Sequence, residues 1–355
     1  MKKAFTRILV DWHQTENDRE MPWKGEKDPY KIWLSEIILQ QTRVEQGLAY
    51  YEKFIAAFPT IKNLAAAKDQ MVFKMWEGLG YYNRCKNLLH TARFIVAHFN
   101  GKFPNTYESI LTLKGVGPYT AAAIASFAFQ LPYAVVDGNV FRVLSRVFGM
   151  AIPIDSTQGK LAFSELANQV LDRKSPGSFN QAIMDFGATV CKPFSPSCTQ
   201  CPLMHQCKAF KEGLVNSLPI KEKQLLKKKR WFNYFIFEYK QTVLVHQRMA
   251  KDIWENLFEF YLVEAPELIV WDNQRVLDFL KDQLGIQSAV LQAISGVAVQ
   301  QLTHQQIKAQ FIKVTLLKKP ECFSKQQWQA VTAINELPFP KIITQYLENE
   351  PLLAL

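Results

Sequence analysis

Four of the six cysteines, Cys191, Cys198, Cys201 and Cys207, lie within seventeen residues at the spacing C-x6-C-x2-C-x5-C. Four thiolates so close along the chain can converge on one centre once a compact loop folds around it. Four-cysteine zinc sites usually use two short C-x2-4-C knuckles, and this stretch has one. A short pair with two longer arms suits a bulkier [4Fe-4S] cube better, with zinc as the alternative. Disulfides fit a small secreted chain, and the start MKKAFTRILVDW has no apolar run of signal-peptide length. Cys85 and Cys322 read as isolated core thiols.

Two carboxylates stand in unusual company. Glu36 interrupts the apolar helical stretch Trp33-Leu34-Ser35-Glu36-Ile37-Ile38-Leu39, and burial there would raise its pKa. A place on a solvated helix face is the other reading. Asp137, in Val136-Asp137-Gly138-Asn139, reads as the N-cap of a following helix. A cap and a catalytic group are compatible, because a helix terminus can hold a carboxylate ionised and aimed. One protonated carboxyl and one ionised carboxylate form a pair suited to cleaving an N-glycosidic bond through an oxocarbenium-like state.

Between these acids, Leu113-Lys114-Gly115-Val116-Gly117-Pro118-Tyr119-Thr120 joins two helices through a turn. Successive N–H groups at Gly115, Val116 and Gly117, with the positive end of the next helix, make an anion site that can hold a DNA phosphate. An ordinary turn in which glycine supplies positive φ is the competing reading.

The elements that must position these groups follow from periodicity. From Asp28 to about Gln206, apolar residues recur at three-to-four spacing between Pro, Gly and Asn breaks, which predicts successive helices. One spans Tyr30 to Phe58, and others run over Met71–Gly78, Cys85–Phe99, Tyr107–Leu113, Thr120–Phe129 and Asn139–Phe148. The stretch 221–230, KEKQLLKKKR, carries six basic side chains and one acid and reads as a linker. Beyond it, WFNYFIFEYKQTVLVHQR and LFEFYLVEA have the aromatic and β-branched composition of strands, so the second domain is expected to be α+β. The 355 residues allow two domains, expected at 1–215 and 231–355 with a basic linker at 216–230. A formal charge of +10 favours polyanions, nucleic acid first and anionic membrane second. The most apolar stretch, Ala121–Val136, is too short and too polar to span a bilayer. A cytoplasmic bacterial protein, working at the nucleoid without membrane contact and as a monomer, is expected.

Taken together, the Gly-rich helix-hairpin-helix, the downstream aspartate and the cysteine spacing resemble the endonuclease III superfamily. Within it, SEIILQQTRV, WEGLGYYNRCKNL, LKGVGPYTAAAI and VDGNVFRVLSR resemble the adenine glycosylase (MutY) branch over nearly the whole first domain. The resemblance implies a mainly α glycosylase domain with a [4Fe-4S] cluster loop, acting in base-excision repair on duplex DNA that carries adenine opposite 8-oxoguanine or guanine. It implies that Glu36 protonates the adenine at N7 and then activates water, that Asp137 stabilises, or transiently bonds to, the sugar cation, and that Tyr119 and Asn139 orient them. Tyr119 stands where lyase members carry a Schiff-base lysine, which implies hydrolysis without efficient strand cleavage. Gln41 and Tyr82 are implied to fill the gap in the duplex beside the oxidised guanine. In the second domain, Trp254–Phe260 resembles a strand of a Nudix-like domain. No R-E-x-x-E-E helix follows, so recognition rather than Mg²⁺-dependent hydrolysis is implied. Leu302-Thr303-His304 resembles the loop that probes oxidised guanine, with Leu302 departing from an aromatic and Thr303 from a serine; Lys24 likewise replaces an arginine common among relatives.

Overall fold

The computed structural model describes residues 1–222, 227–323, 327–350 and 352. The chain divides into two compact units, Met1–Ala66 with Lys86–Gln224, and Ala67–Cys85 with Leu225–Leu355. The division is therefore not a single cut at the basic stretch: a nineteen-residue helical insert, 67–85, groups with the second unit. Of the expected linker, 223–226 lie outside the described residues, and Lys228–Arg230 already belong to the first strand.

The helices in chain order are α1 (Lys2–Thr15), α2 (Pro29–Leu39), α3 (Val44–Ala57), α4 (Ile61–Ala66), α5 (Asp69–Met75), α6 (Asn83–His98), α7 (Tyr107–Leu111), α8 (Pro118–Phe129), α9 (Gly138–Phe148), α10 (Thr157–Val170), α11 (Pro176–Thr189) and α12 (Lys208–Lys211). The helix α1 was not expected from the sequence, although Phe5, Leu9 and Trp12 repeat at helical spacing and all three are buried. The single span expected over 30–58 is two helices. The polar run Gln40-Gln41-Thr42-Arg43 separates them, and α2 is buried on every side whereas α3 buries only Gly47, Tyr51 and Phe54. The chain turns between them at Gln41, which takes a left-handed φ of 55°.

Local chemistry sets these boundaries. Asp28 caps α2 by accepting from the Tyr30 N–H at 2.9 Å, with Pro29 preset at the first helical position. The strongly amphipathic α9 starts at the Asp137 cap and stops at Gly149, which has a φ of 67°. The first core packs Phe5, Leu9 and Trp12 of α1 against Val140, Val143 and Val147 of α9 and Phe179, Ile183 and Phe186 of α11. Cys191, Cys201 and Cys207 border the same core, so the cysteine loop is anchored to the helices that carry Asp137 and Asn139.

The second unit is built on β1 (Lys228–Tyr239), β2 (Thr242–Gln247), β3 (Phe258–Glu259), β4 (Tyr261–Ala265), β5 (Ala289–Ile294), β6 (Ala298–Gln301), β7 (Gln305–Leu316) and β8 (Gln327–Ala330), with α13 (Asn273–Leu284) and α14 (Lys341–Asn349). The central pair, β1 and β7, is parallel from Lys228↔Gln305 to Glu238↔Thr315, and the remaining pairings are antiparallel. Its side chains alternate as a pleated sheet demands. Phe235, Phe237, Ile312 and Val314 join Val276 and Leu280 of α13 in one core. On the opposite face Tyr234 stacks on Phe311, and Phe311 on Tyr346 of α14. Cover on both faces explains why β1 is buried almost without a break from Phe232 to Phe237.

Candidate active site

Glu36 lies midway along α2, the helix with no solvated face, and is 8% exposed. Of the two readings open in the sequence, the structure selects the buried one. Burial holds the carboxyl at about 7; a hydrogen bond from the Tyr119 hydroxyl acts in the opposite direction, and the Asp137 charge adds to the rise. Glu36 therefore retains a proton near neutrality that an exposed glutamate would have lost.

Asp137 is both cap and pocket residue. Its Oδ1 accepts the Val140 N–H at 2.7 Å and its Oδ2 accepts the Asn139 Nδ2–H at 2.9 Å. Burial still pushes it above the ordinary aspartate range, against those hydrogen bonds and the Arg142 charge. The helix cap was expected to favour the ionised form; here it offsets desolvation only in part. Asn139 is itself oriented, because its Oδ1 accepts from Arg142 Nη2 at 2.8 Å. The same guanidinium donates to Gly187 O at 2.6 Å and, through Nε, to Cys191 O at 2.7 Å. Arg142 thus joins α9, α11 and the first cysteine by hydrogen bonds, and deleting so buried a charged donor would leave several acceptors unpaired.

Glu36, Tyr119, Asp137 and Asn139 all line one cavity of about 780 Å³ within the first unit, and Gln41 lines it too. Sequence reasoning missed a buried acid behind the cavity's other lining residues His13, Arg19, Lys24 and Gln181. Asp185 of α11 is fully buried. It accepts from Arg19 at 2.8 Å, Asn17 at 2.9 Å and Gln181 at 3.0 Å, with Lys24 Nζ at 3.6 Å. His13 completes the group through a 2.7 Å contact to Asn17. An acid at a helical position among Ile183, Met184 and Phe186 was the available signal, the same one that marked Glu36.

The turn expected to hold a phosphate joins α7 to α8. Gly115 has a φ of 81°, and a Cβ there would sit 2.8 Å from Asn87 Cβ, so glycine is required on two counts. Gly117 caps α8 with Pro118 at its first position. Val116 departs from the expectation: its side chain is 7% exposed and its N–H closes the turn onto Leu113 O at 3.1 Å. Gly115 and Gly117, not Val116, are the members of the turn that face outward.

Cys191, Cys198, Cys201 and Cys207 line one small cavity with Arg146 and Leu203. Among the described residues no three ligating side chains are close enough to grip a single ion. Burial, with a smaller contribution from charge on Cys191, Cys207 and Cys198 and against a backbone hydrogen bond from Leu203, pushes the Cys201 thiol up to about 12. Four thiolates there require a cationic centre. Arg146 supplies one fixed positive charge, 3.5 Å from Cys191 Sγ and bonded to Lys192 O at 2.7 Å.

In the second unit, Thr303 and His304 form the tight connection between β6 and β7, closed by Leu302 N–H to Gln305 O at 2.8 Å. His304 is exposed and Thr303 half-buried. Tyr82, expected at the surface of the duplex gap, is 7% exposed and stacks on Phe73. Its neighbour Tyr81 is the outward one, 43% exposed with a left-handed φ of 49°, and its hydroxyl meets Thr303 Oγ1. The Arg84 guanidinium sits under both Tyr81 and Trp76. Which tyrosine of the pair emerges is decided by that backbone kink.

Two family models match the chain: the HhH-GPD superfamily base excision DNA repair protein over residues 34–167, and the NUDIX domain over 233–349. The adenine DNA glycosylase of Buchnera aphidicola subsp. Schizaphis graminum is 34% identical over 288 residues, covering 80% of this chain and 82% of that protein. The human adenine DNA glycosylase is 42% identical over 215 residues, 58% of this chain and 39% of its own length. Among solved structures, a thermostable thymine-DNA glycosylase superposes with a TM-score of 0.55 at 30% identity, covering 59% of this chain and 97% of that one. A non-covalent endonuclease III–DNA complex, at 21% identity and a TM-score of 0.52, covers 60% of this chain and 98% of that one and shares the helical fold. With two acids sharing one cavity, a glycine-built helix-hairpin-helix and a bacterial relative matched over most of its length, the chain belongs to the adenine DNA glycosylase family, the DNA glycosylases of base-excision repair.

Proposed function

We propose that this glycosylase hydrolyses the N-glycosidic bond of adenine mispaired with 8-oxoguanine or guanine in duplex DNA, and that it does so without efficient strand cleavage. The observation that carries the reading is Glu36, held at about 7 by burial and sharing its cavity with Asp137. The protonated Glu36 carboxyl gives its proton to N7 of a flipped adenine, and the C1′–N9 bond breaks with its electron pair leaving on the base. Asp137, held by Val140 and Asn139, lowers the energy of the positive charge that develops at C1′. The Glu36 carboxylate then takes a proton from the water that adds to C1′, which returns the site to its starting state. Tyr119 orients Glu36, and its phenol has no amine with which to form an imine.

Gly115 and Gly117 hold a phosphate at the start of α8, and Gln41, with the exposed Tyr81 in place of Tyr82, enters the duplex gap. Thr303 and His304 read the oxidised guanine. Extruding a base costs a few kcal/mol, least for a mispaired one, so the weak pair assists its own selection. A [4Fe-4S] cluster on Cys191, Cys198, Cys201 and Cys207 braces the loop; iron and acid-labile sulfide in equal amounts, without zinc, would be its signature.

The test is single-turnover cutting of duplexes carrying adenine opposite 8-oxoguanine, guanine or thymine, with and without an alkali step. Breaks only after alkali, confined to the mispairs, are expected. Breaks without alkali, trapped by borohydride, would point to an amine nucleophile such as the cavity residue Lys24 and overturn the monofunctional reading. Adenine lost equally opposite thymine would overturn the mispair specificity.

A further inference from the structure

The insert 67–85 is fastened to the stretch around Phe339 through Glu77 and its neighbour Lys74. Glu77 Oε1 accepts the Phe339 N–H at 3.0 Å and the Thr344 hydroxyl at 3.0 Å. Its Oε2 pairs with Lys74 at 2.6 Å, and Lys74 Nζ donates to Leu337 O at 3.1 Å. Glu77 and Lys74 thus clamp the stretch between Leu337 and the first turn of α14. Thr344 also bonds Pro340 O at 3.5 Å, so the receiving surface is held from its own side. Phe339 in turn stacks on the fully buried Phe260, which fixes the clamp to the sheet core.

From Glu77 the chain runs through Gly78 and Gly80, both at positive φ, to Tyr81. Two such glycines make a pliant link, so the position of Tyr81 depends on where the link begins. At its far end Arg84 donates to Leu79 O and Gly80 O, closing the loop under the Tyr81 ring. The Tyr81 hydroxyl then reaches Thr303. Clamp, link and tyrosine form one path from α14 to the loop between β6 and β7, all inside the second unit.

We infer that Glu77 is a positioning residue for reading the base opposite adenine: by tying the insert to Phe339 and Thr344 it sets where Tyr81 stands beside Thr303. This rests on the reading of Tyr81, Thr303 and His304 given above. Glu77 touches neither the excised base nor the reacting atoms, so its loss should alter discrimination rather than chemistry. A residue that merely stabilised the fold would change all substrates alike.

The experiment compares the parent, E77A and E77Q for single-turnover rate and affinity on adenine opposite 8-oxoguanine and opposite guanine, with melting temperature measured alongside. The parent should prefer 8-oxoguanine. E77A removes two accepted hydrogen bonds and the Lys74 ion pair, so the preference should fall on the order of tenfold, with the rate opposite guanine changed less than about twofold. E77Q keeps a neutral oxygen for Phe339 and Thr344 and should restore the preference to within about twofold of the parent. In a Y81A background E77A should change nothing further, because the two act through one path. A parent without preference would overturn the reading of the loop and this inference with it. A parent with preference and an E77A protein that keeps it, or loses both substrates equally, would overturn the inference alone, as would additive effects of E77A and Y81A. Should E77A not yield folded protein, T344V removes one donor only and carries the same expectation at smaller size.

Discussion

At Glu36 one physical cause sets both activity and stability. Burial raises its carboxyl to about 7, and the acid must be protonated to act. The single-turnover rate should therefore fall as pH rises through about 7, and the fall should disappear into a uniformly low rate in E36Q, by about a hundredfold or more. On the acid side the rate should drop as Asp137 gains its proton, at a pH above the ordinary aspartate range. The linkage to folding has the opposite benefit. A group whose folded pKa is raised contributes its stability below its unfolded value, and that contribution is lost as pH rises through the folded one. Raising a carboxyl pKa by one costs its ionised form about 1.4 kcal/mol, so the ionised Glu36 costs the fold on the order of 3 kcal/mol at alkaline pH. E36Q should melt above the parent at pH 8, and the two should converge near pH 4. Equal melting at both would mean that Glu36 is solvated. The sequence held both signs open, because Glu36 read either as buried with a raised pKa or as solvated, and only the packing on every side of α2 selects the first.

At the scale of elements, the close approach of α9 and α11 is what places the catalytic pair. A Cβ on Gly187 of α11 would fall 2.6 Å from Asn139 Cβ and 3.0 Å from Asn139 O. The second of these is backbone and cannot rotate away. Gly187 is therefore the contact that lets Asn139 reach Asp137 and lets Gly187 O receive Arg142. G187A should push the start of α9 outward and lower the rate by about tenfold or more, since small misplacements of catalytic groups cost that much, while affinity for uncleaved duplex stays within about threefold. A loss of affinity with the rate intact would place the strain at the phosphate-binding face instead. This glycine gave no sign in the sequence, where FNQAIMDFGATVC reads as one more amphipathic helix. The hairpin and the cysteine spacing were readable because each is local: the φ at Gly115 and the four arms of the loop are set within a few residues. The Asp185 cluster was not, because its partners Asn17 and Arg19 stand far away in the chain. The same holds for the insert 67–85, whose helical pattern is plain and whose attachment to Phe339 and Thr344 is not.

For the molecule as a whole, a formal charge of +10 makes counterion release part of binding. Phosphate neutralisation should lower log affinity by about 0.9 for each contact per decade of salt, whereas chemistry inside the cavity should not respond. With enzyme in excess over its dissociation constant, the single-turnover rate should thus stay within about twofold across a salt series in which affinity falls steeply. The contribution of the second unit can be separated from that of the first. Lys227, Lys228 and Lys229 are all exposed, where the basic stretch runs into β1. Lys228 and Lys229, adjacent along β1, point to opposite faces and cannot both meet one phosphate. If this edge lies along the duplex, replacing the three by alanine should reduce the salt slope by about one for each lysine that reaches a phosphate, and should weaken matched and mispaired duplexes equally. An unchanged slope would assign these lysines to solubility alone and leave the phosphate contacts to the helix-hairpin-helix, where substitutions at Gly117 would then carry the whole salt-dependent loss.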